Sequence, residues 1–251
     1  MRLFRIATAH GPSWAKEEQG GLRLLDGDPI TGLSETRETV ELESAKLLCP
    51  AAPSKIVAVG LNYRDHALEQ GKPVPEEPLL FLKPPSAVIG PGEAIRLPAW
   101  AGRVDHEAEL GVVIGRRVKD VETPEAATAA ILGAVCVNDV TARELQRKDV
   151  QYTRAKGFDS FCPVGPALAV GLELGRLSVE CRVNGERRQM SSTAELIFDP
   201  VALVRFVSRV MTLLPGDIIT TGTPAGVAPL RPGDRVEVEI EGIGVLENPV
   251  V

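Results

Sequence analysis

Apolar residues along this chain follow two periods, broken wherever glycine and proline cluster. Over Arg235–Glu241, Val236, Val238 and Ile240 alternate with Glu237, Glu239 and Glu241. A period of two predicts an antiparallel strand with one dry and one solvated face. Val104–Gly115 reads as another strand, with Leu110, Val112 and Ile114 on one side, and Ile56-Val57-Ala58-Val59 as a buried one. Helical spacing marks Val201, Val204, Val207 and Met211 after Asp199-Pro200. Thr123-Pro124-Glu125 opens a second helix, with threonine as cap, proline in the first turn and glutamate near the positive end. That helix is expected to run through alanine-rich sequence to a stop at Gly133. Residues 1–52 read as a small N-terminal β-rich domain, a hairpin meander in which Gly20-Gly21 and Asp26-Gly27-Asp28-Pro29 flank Leu22, Leu24 and Leu25. Cys49–Ser54 is the linker into a second domain, residues 53–251. The sum is α+β and mainly β, with no βαβ array.

Composition narrows the function. The net charge is −6 and there is no Lys/Arg-rich run. This argues against nucleic acid or an acidic membrane surface as partner, and requires local cations or a metal wherever an anionic substrate binds. No stretch of about 18 uncharged apolar residues predicts a membrane span. Met1–Thr8 carries Arg2 and Arg5, unlike a signal peptide, and the four cysteines form no CxxC pair, which predicts reduced thiols in the cytoplasm. With three histidines in the chain, a bound metal must be held by carboxylates. Neither a GxGxxG nor a P-loop is present, so no nucleotide cofactor is expected.

Candidate chemistry begins at Asp105-His106-Glu107-Ala108-Glu109. On a strand Glu107 and Glu109 face one way, about 7 Å apart. Two like charges there need a cation between them or open water around them, and a solvated face fits as well. Asp139, following the apolar stretch Ile131–Val137, either caps the next helix or completes a three-carboxylate site suited to Mg²⁺, Mn²⁺ or Ca²⁺. A short helix within Gly60–Gly71 puts His66 and Glu69 on one face. A carboxylate beside an imidazole makes a base, although a surface helix gives the same spacing. The proline-rich stretch 71–78 beside this pair is a candidate lid. Lys156 is either a partner for a carboxylate or enolate, or a surface lysine. Thr220–Val227 is a turn that can offer hydroxyls and N–H groups to a carboxylate. His10 and His106 read as structural.

Taken in order, Gly60-x-Asn62-Tyr63-x-x-His66-x-x-Glu69, Phe81-Leu82-Lys83-Pro84, His106-Glu107-x-Glu109-Leu110-Gly111, Asn138-Asp139-x-Thr141-Ala142-Arg143, Ala155-Lys156-x-Phe158-Asp159, Asn184-Gly185-Glu186 and Gly216-Asp217 through Gly226-Val227 resemble the fumarylacetoacetate hydrolase family. The resemblance implies a mixed β-sandwich roll, usually dimeric, and a divalent metal, commonly Mg²⁺, on Glu107, Glu109 and Asp139. It implies a lid-borne catalytic pair in His66 and Glu69, a catalytic Lys156, and substrate contacts from Arg143, Gln146 and Thr223. Some members carry arginine after the first glycine, where this chain has Leu61. The chain length resembles the 2-hydroxyhepta-2,4-diene-1,7-dioate isomerase branch, which implies a dicarboxylic 2-oxo or 2-hydroxy-diene acid handled through a metal-stabilised enolate. Such a substrate's second carboxylate needs its own cation, with Arg143, Arg64 and Lys72 as candidates. The alternatives are an acylpyruvate (fumarylpyruvate-like) hydrolase, an oxaloacetate decarboxylase, or a non-catalytic metal- or metabolite-binding β-domain.

Overall fold

The alternation and the glycine breaks translate into strands. A computed structural model describes residues 1–251. An N-terminal meander comprises β1 (Arg2–Thr8), β2 (Gly11–Glu18), β3 (Gly21–Asp28) and β4 (Gly32–Val40). The turn into β4 begins only at Pro29, the last residue of the Asp26-Gly27-Asp28-Pro29 cluster, and runs to Thr31. Gly27 stays inside β3, where a Cβ would stand 2.2 Å from the Gly32 carbonyl oxygen. Next come β5 (Ile56–Gly60), α1 (Arg64–Glu69), β6 (Leu79–Lys83), β7 (Ala108–Ile114), α2 (Pro124–Thr128) and β8 (Ile131–Asn138). The chain continues through α3 (Arg143–Lys148), α4 (Thr153–Lys156), β9 (Cys162–Ala169), β10 (Ser178–Val183), β11 (Glu186–Ser192) and α5 (Pro200–Val210). It ends with β12 (Ile218–Thr220), β13 (Arg235–Ile240) and β14 (Gly244–Pro249). No helix is long and apolar enough to cross a membrane.

Two expected elements differ. The strand over Val104–Gly115 is broken: Val104–Asp105 pairs with Thr141–Ala142, the backbone leaves the ladder at His106-Glu107, and pairing resumes at Ala108. The Asn138 side-chain oxygen, accepting from Glu107 N–H at 2.9 Å, takes the place of a ladder bond. The alanine-rich helix closes at Ala129, well short of Gly133, although Thr123 caps it as expected. Gly133 lies inside β8, where a Cβ would stand 2.4 Å from the Ala169 backbone oxygen. The apolar run Ile131–Val137 therefore extends as a buried strand, and its glycine serves close strand approach instead of a helix stop. The Asp199-Pro200 helix forms as expected, with Asp199 capping Ala202 N–H at 2.8 Å.

The fold is mainly β, as expected. One mixed sheet runs β4-β3-β2-β1-β9-β8-β7-β12-β5-β6, with short strands Leu47–Leu48 on β1 and Val88–Ile89 on β9. Its β12–β5 pairing is parallel, Ile218 against Ile56. A four-stranded antiparallel sheet, β11-β10-β13-β14, packs on one face. Ala108, Leu110 and Cys136 of the large sheet meet Val179, Cys181, Val236, Val238 and Ile240 of the small one. Farther along that face Val57, Val59, Val112 and Ile219 pack under α2 and α5. The opposite face curls, bringing Leu25 and Leu33 of the meander onto Val113, Val135 and Val137. Glu237 and Glu239 lie on the solvated side as expected, but both are ion-paired to Arg182.

Candidate active site

Segments far apart in sequence converge on a cavity of about 410 Å³. Pairing of Ala108 with Asn138 sets Asp139 beside Glu107, and Asp139 N–H donates to the Glu107 carbonyl at 2.8 Å. Glu107, Glu109 and Asp139 are all buried, and one ligand oxygen from each lies within 4.8 Å of the others. Asp139 caps no helix; its carboxylate turns into this cluster.

Cations compensate two of the three acids. Lys156 Nζ donates to Glu107 Oε2 at 2.8 Å and Asp139 Oδ2 at 2.6 Å, so it is a buried partner and not a surface lysine. Lys83 Nζ lies 2.6 Å from Asp139 Oδ1, so each oxygen of Asp139 faces an ammonium. Arg143 donates to Glu107 at 2.6 Å, to Asp105 at 2.9 Å and to the Gln146 amide oxygen at 2.7 Å. Burial alone would raise Glu107, yet the charges of Lys156 and Arg143 outweigh it and hold the carboxyl at about 2. Glu109 receives only the Gly222 N–H, at 2.8 Å. Burial, then the charges of Asp139 and Glu107, push it well above the ordinary carboxylate range. Three converging oxygen donors, one of them on an acid without a counter-charge of its own, suit a divalent cation of the hard, oxygen-seeking kind.

The opposite wall is α1. His66 Nδ1–H donates to Glu69 Oε2 at 2.8 Å, and the Gln70 amide donates to His66 Nε2 at 2.6 Å. Glu69 Oε1 accepts from Gly226 N–H at 3.0 Å. His66 and Gln70 line the cavity together with Glu107, Glu109, Lys156 and Thr223. Just upstream, the Asn62 side chain bonds Thr221 O at 2.7 Å and Phe198 N–H at 2.8 Å, tying the helix entry to the Thr220–Val227 turn. Leu61, also in the wall, has φ 49°, a left-handed conformation that costs a branched side chain about 1 kcal/mol. Phe81 lies under Lys156, with Nζ 5.0 Å from the ring centre. Thr223 Oγ1 donates to Ala108 O at 2.9 Å. His106 is buried, its Nδ1 bonded to Gln189, consistent with a structural part.

Residues 55–251 match the family described as fumarylacetoacetate (FAA) hydrolase C-terminal. The chain belongs to the fumarylacetoacetate hydrolase family. Residues 1–50 match a second family, described as Rv2993c-like, N-terminal. Within the hydrolase family, the chain is 44% identical to the solved 2-hydroxyhepta-2,4-diene-1,7-dioate isomerase from Mycobacterium marinum, with TM-score 0.92 over 100% of this chain and 98% of that one. It is 40% identical over 293 residues to the mitochondrial oxaloacetate tautomerase fahd2 of Xenopus laevis, covering 100% of this chain and 90% of the relative. It also matches the maleylpyruvate hydrolase of Sphingobium sp. SYK-6, solved with manganese(II) and pyruvate, at 29% identity and TM-score 0.82 over 100% and 99% of the two chains. Members of this fumarylacetoacetate hydrolase family are thus named for isomerisation, tautomerisation and hydrolysis.

All nine candidate residues, His66, Glu69, Lys156, Arg143, Gln146, Thr223, Glu107, Glu109 and Asp139, fall at or beside the cavity. Arg64 does not; its guanidinium turns to Leu196 O at 3.2 Å. Sequence reasoning gave no role to Asp105, Lys83 or Gln189. The first two carried a signal: a charge next to or within a strongly apolar strand needs a buried partner. Gln189 carried none, because Arg187 and Arg188 make its strand look wholly solvated.

Proposed function

We propose that the protein makes or breaks a bond adjacent to the carbonyl of a dicarboxylic 2-oxo (or 2-hydroxy-diene) acid, in the manner of 2-hydroxyhepta-2,4-diene-1,7-dioate isomerases and 5-oxopent-3-ene-1,2,5-tricarboxylate decarboxylases. The observation that carries this reading is the single cavity with an acidic cluster lacking one counter-charge on one wall and an oriented histidine–carboxylate pair on the other. Glu107, Glu109 and Asp139 hold the metal, Mg²⁺ in this reading. A divalent ion there supplies fixed positive charge against the negative charge that develops on a 2-oxo acid. Lys156 places a second positive charge in the same wall and positions Glu107 and Asp139. His66 moves the proton: its Nδ1–H is fixed on Glu69, so Nε2 is the basic nitrogen, and Gln70 holds it toward the cavity. Arg143, Gln146 and Thr223 orient the substrate.

Arg143 already gives three of its five N–H donors to Asp105, Glu107 and Gln146, which leaves it less free to receive the second carboxylate. Lys72 and Arg147 line the same cavity, are exposed and have no ion-pair partner, and the distal carboxylate is assigned to them. The tautomerase relative favours a second reading, proton transfer alone, which uses the same His66–Glu69 pair. Turnover of a panel of 2-oxo acids after chelation and after Mg²⁺ or Mn²⁺ is restored tests the proposal. Diacids are expected to have higher kcat/KM than neutral acylpyruvates, and Arg147→Ala should raise KM for the diacid more than for the neutral substrate. A preference for the neutral acylpyruvate overturns the substrate class, and full activity without metal overturns the site.

A further inference from the structure

Strand β11 is exposed at most positions, yet Gln189 within it is 1% exposed. Its amide makes four hydrogen bonds. The oxygen accepts from His106 Nδ1 and from Ala108 N–H, both at 3.0 Å. The nitrogen donates to Thr223 Oγ1 and Pro224 O, both at 2.8 Å. Donors on one side and acceptors on the other admit only one orientation of the amide. Those four groups bracket the acidic cluster: His106 and Ala108 flank Glu107, and Thr223 follows the Gly222 whose N–H holds Glu109.

Ser191 lies two residues on, on the same strand face. Its hydroxyl donates to Asp65 Oδ2 at 2.9 Å, and Asp65 Oδ1 accepts from His66 N–H at 2.7 Å. A third link lies next to Gln189, at Arg188. Gly226 has φ 96°, its N–H holds Glu69, and a Cβ on it would stand 2.2 Å from the Arg188 carbonyl oxygen. The turn that orients Glu69 therefore rests directly on the backbone of β11.

We infer that Gln189 and Ser191 are positioning residues, and that β11 is the common support holding the acidic cluster and the His66 helix in register across the cavity. Neither side chain lines the cavity. Gln189 acts through Ala108 and Thr223, and Ser191 through Asp65. The inference rests on the proposed site, but its consequences divide along the strand. Gln189 sets the acid side and Ser191 sets the histidine side.

The test uses the full chain with Gln189→Met, Gln189→Glu and Ser191→Ala, read by amide hydrogen exchange, Mn²⁺ binding and steady-state kinetics. Gln189→Met should speed exchange at Ala108 and over residues 222–227, leave α1 unchanged, and weaken Mn²⁺ binding by about 10- to 100-fold, the scale for losing an outer hydrogen-bond partner of a metal ligand set. Gln189→Glu keeps the acceptor side and should fall between wild type and Gln189→Met at Ala108. Ser191→Ala should speed exchange over residues 64–70 and lower kcat by about 10- to 100-fold, with Mn²⁺ affinity held. Parallel changes in all segments for both positions, or Mn²⁺ affinity and kcat within about twofold of wild type, overturn the inference. If Gln189→Met does not fold, Ser191→Ala and Gln189→Glu decide by the same division. If wild type neither binds Mn²⁺ nor turns over any 2-oxo acid, the functional reading fails, while the exchange pattern still decides the role of β11.

Discussion

Glu109 is the acid on which the candidate site turns. Its pKa lies above the ordinary carboxylate value of 4.5, so between that value and the raised one the folded chain keeps a proton that the unfolded chain loses. Two consequences follow from the sign. Without metal, stability falls as pH rises through that window, because the native state binds more protons than the unfolded one. With metal, the proton must leave, so affinity rises with pH. Calorimetric Mn²⁺ titrations in buffers of different ionisation enthalpy should show about one proton released per ion, and Glu109→Gln should abolish that release. Glu107 behaves oppositely: held at about 2, it contributes stability above 4.5 that is lost as pH falls toward 2. Across the cavity, His66→Ala should lower kcat by about 10²–10⁴ with Mn²⁺ affinity unchanged, and a loss of binding would show that the roles are misassigned. Glu107 with Glu109 and His66 with Glu69 were legible because short spacings encode them, whereas Asp139 stood out only by following a buried apolar run and fitted a helix cap as well. Gln189 was not, because its burial depends on a turn more than thirty residues downstream.

Elements were legible where period and punctuation agreed. Capping residues placed the starts of α2 and α5, and Gly71 at φ 61° closes α1 as the sequence suggested. The end of α2 was not readable, because alanine suits a helix interior while the competing strand is imposed by its neighbours β7 and β9. The break at His106-Glu107 was hidden for a similar reason: the bond that replaces the ladder comes from Asn138, on another strand. Between α1 and β6, residues 71–78 are mostly exposed and carry Pro73, Pro75 and Pro78, yet Lys72 and Pro75 face the cavity. A segment anchored so lightly, beside the proposed base, is expected to order with ligand. Hydrogen exchange over 71–78 should slow when oxalate and Mg²⁺ are added together, and equal protection with and without them would remove the lid from the mechanism.

At the scale of the whole molecule, sequence patterns indicated many strands but not their neighbours. Nothing local announces that β5 pairs in parallel with β12, since both are short, almost wholly buried runs. The structure shows what fixes the match. Asp217, fully buried, accepts from Ser54 N–H at 3.0 Å, the Ser54 hydroxyl at 2.6 Å, Lys55 N–H at 3.2 Å and Leu214 N–H at 2.8 Å, and also pairs with the Lys55 ammonium. Asp217→Ala should cost about 3–5 kcal/mol, read from denaturant unfolding, because it strips the partner from a half-buried lysine and leaves several donors unsatisfied.

That same carboxylate joins residues 162 positions apart. Closing so long a loop is entropically unfavourable until β5 and β12 meet, whereas the β1–β4 meander forms from neighbours in sequence. The meander is therefore expected to form early and the cavity late, since His66 follows β5 and Thr223 follows β12. Synthesis sharpens the delay. A ribosome must deliver the turn at Thr223 before the cavity can close, so a chain stalled short of it would carry all three acids without the N–H groups that hold Glu109 and Glu69.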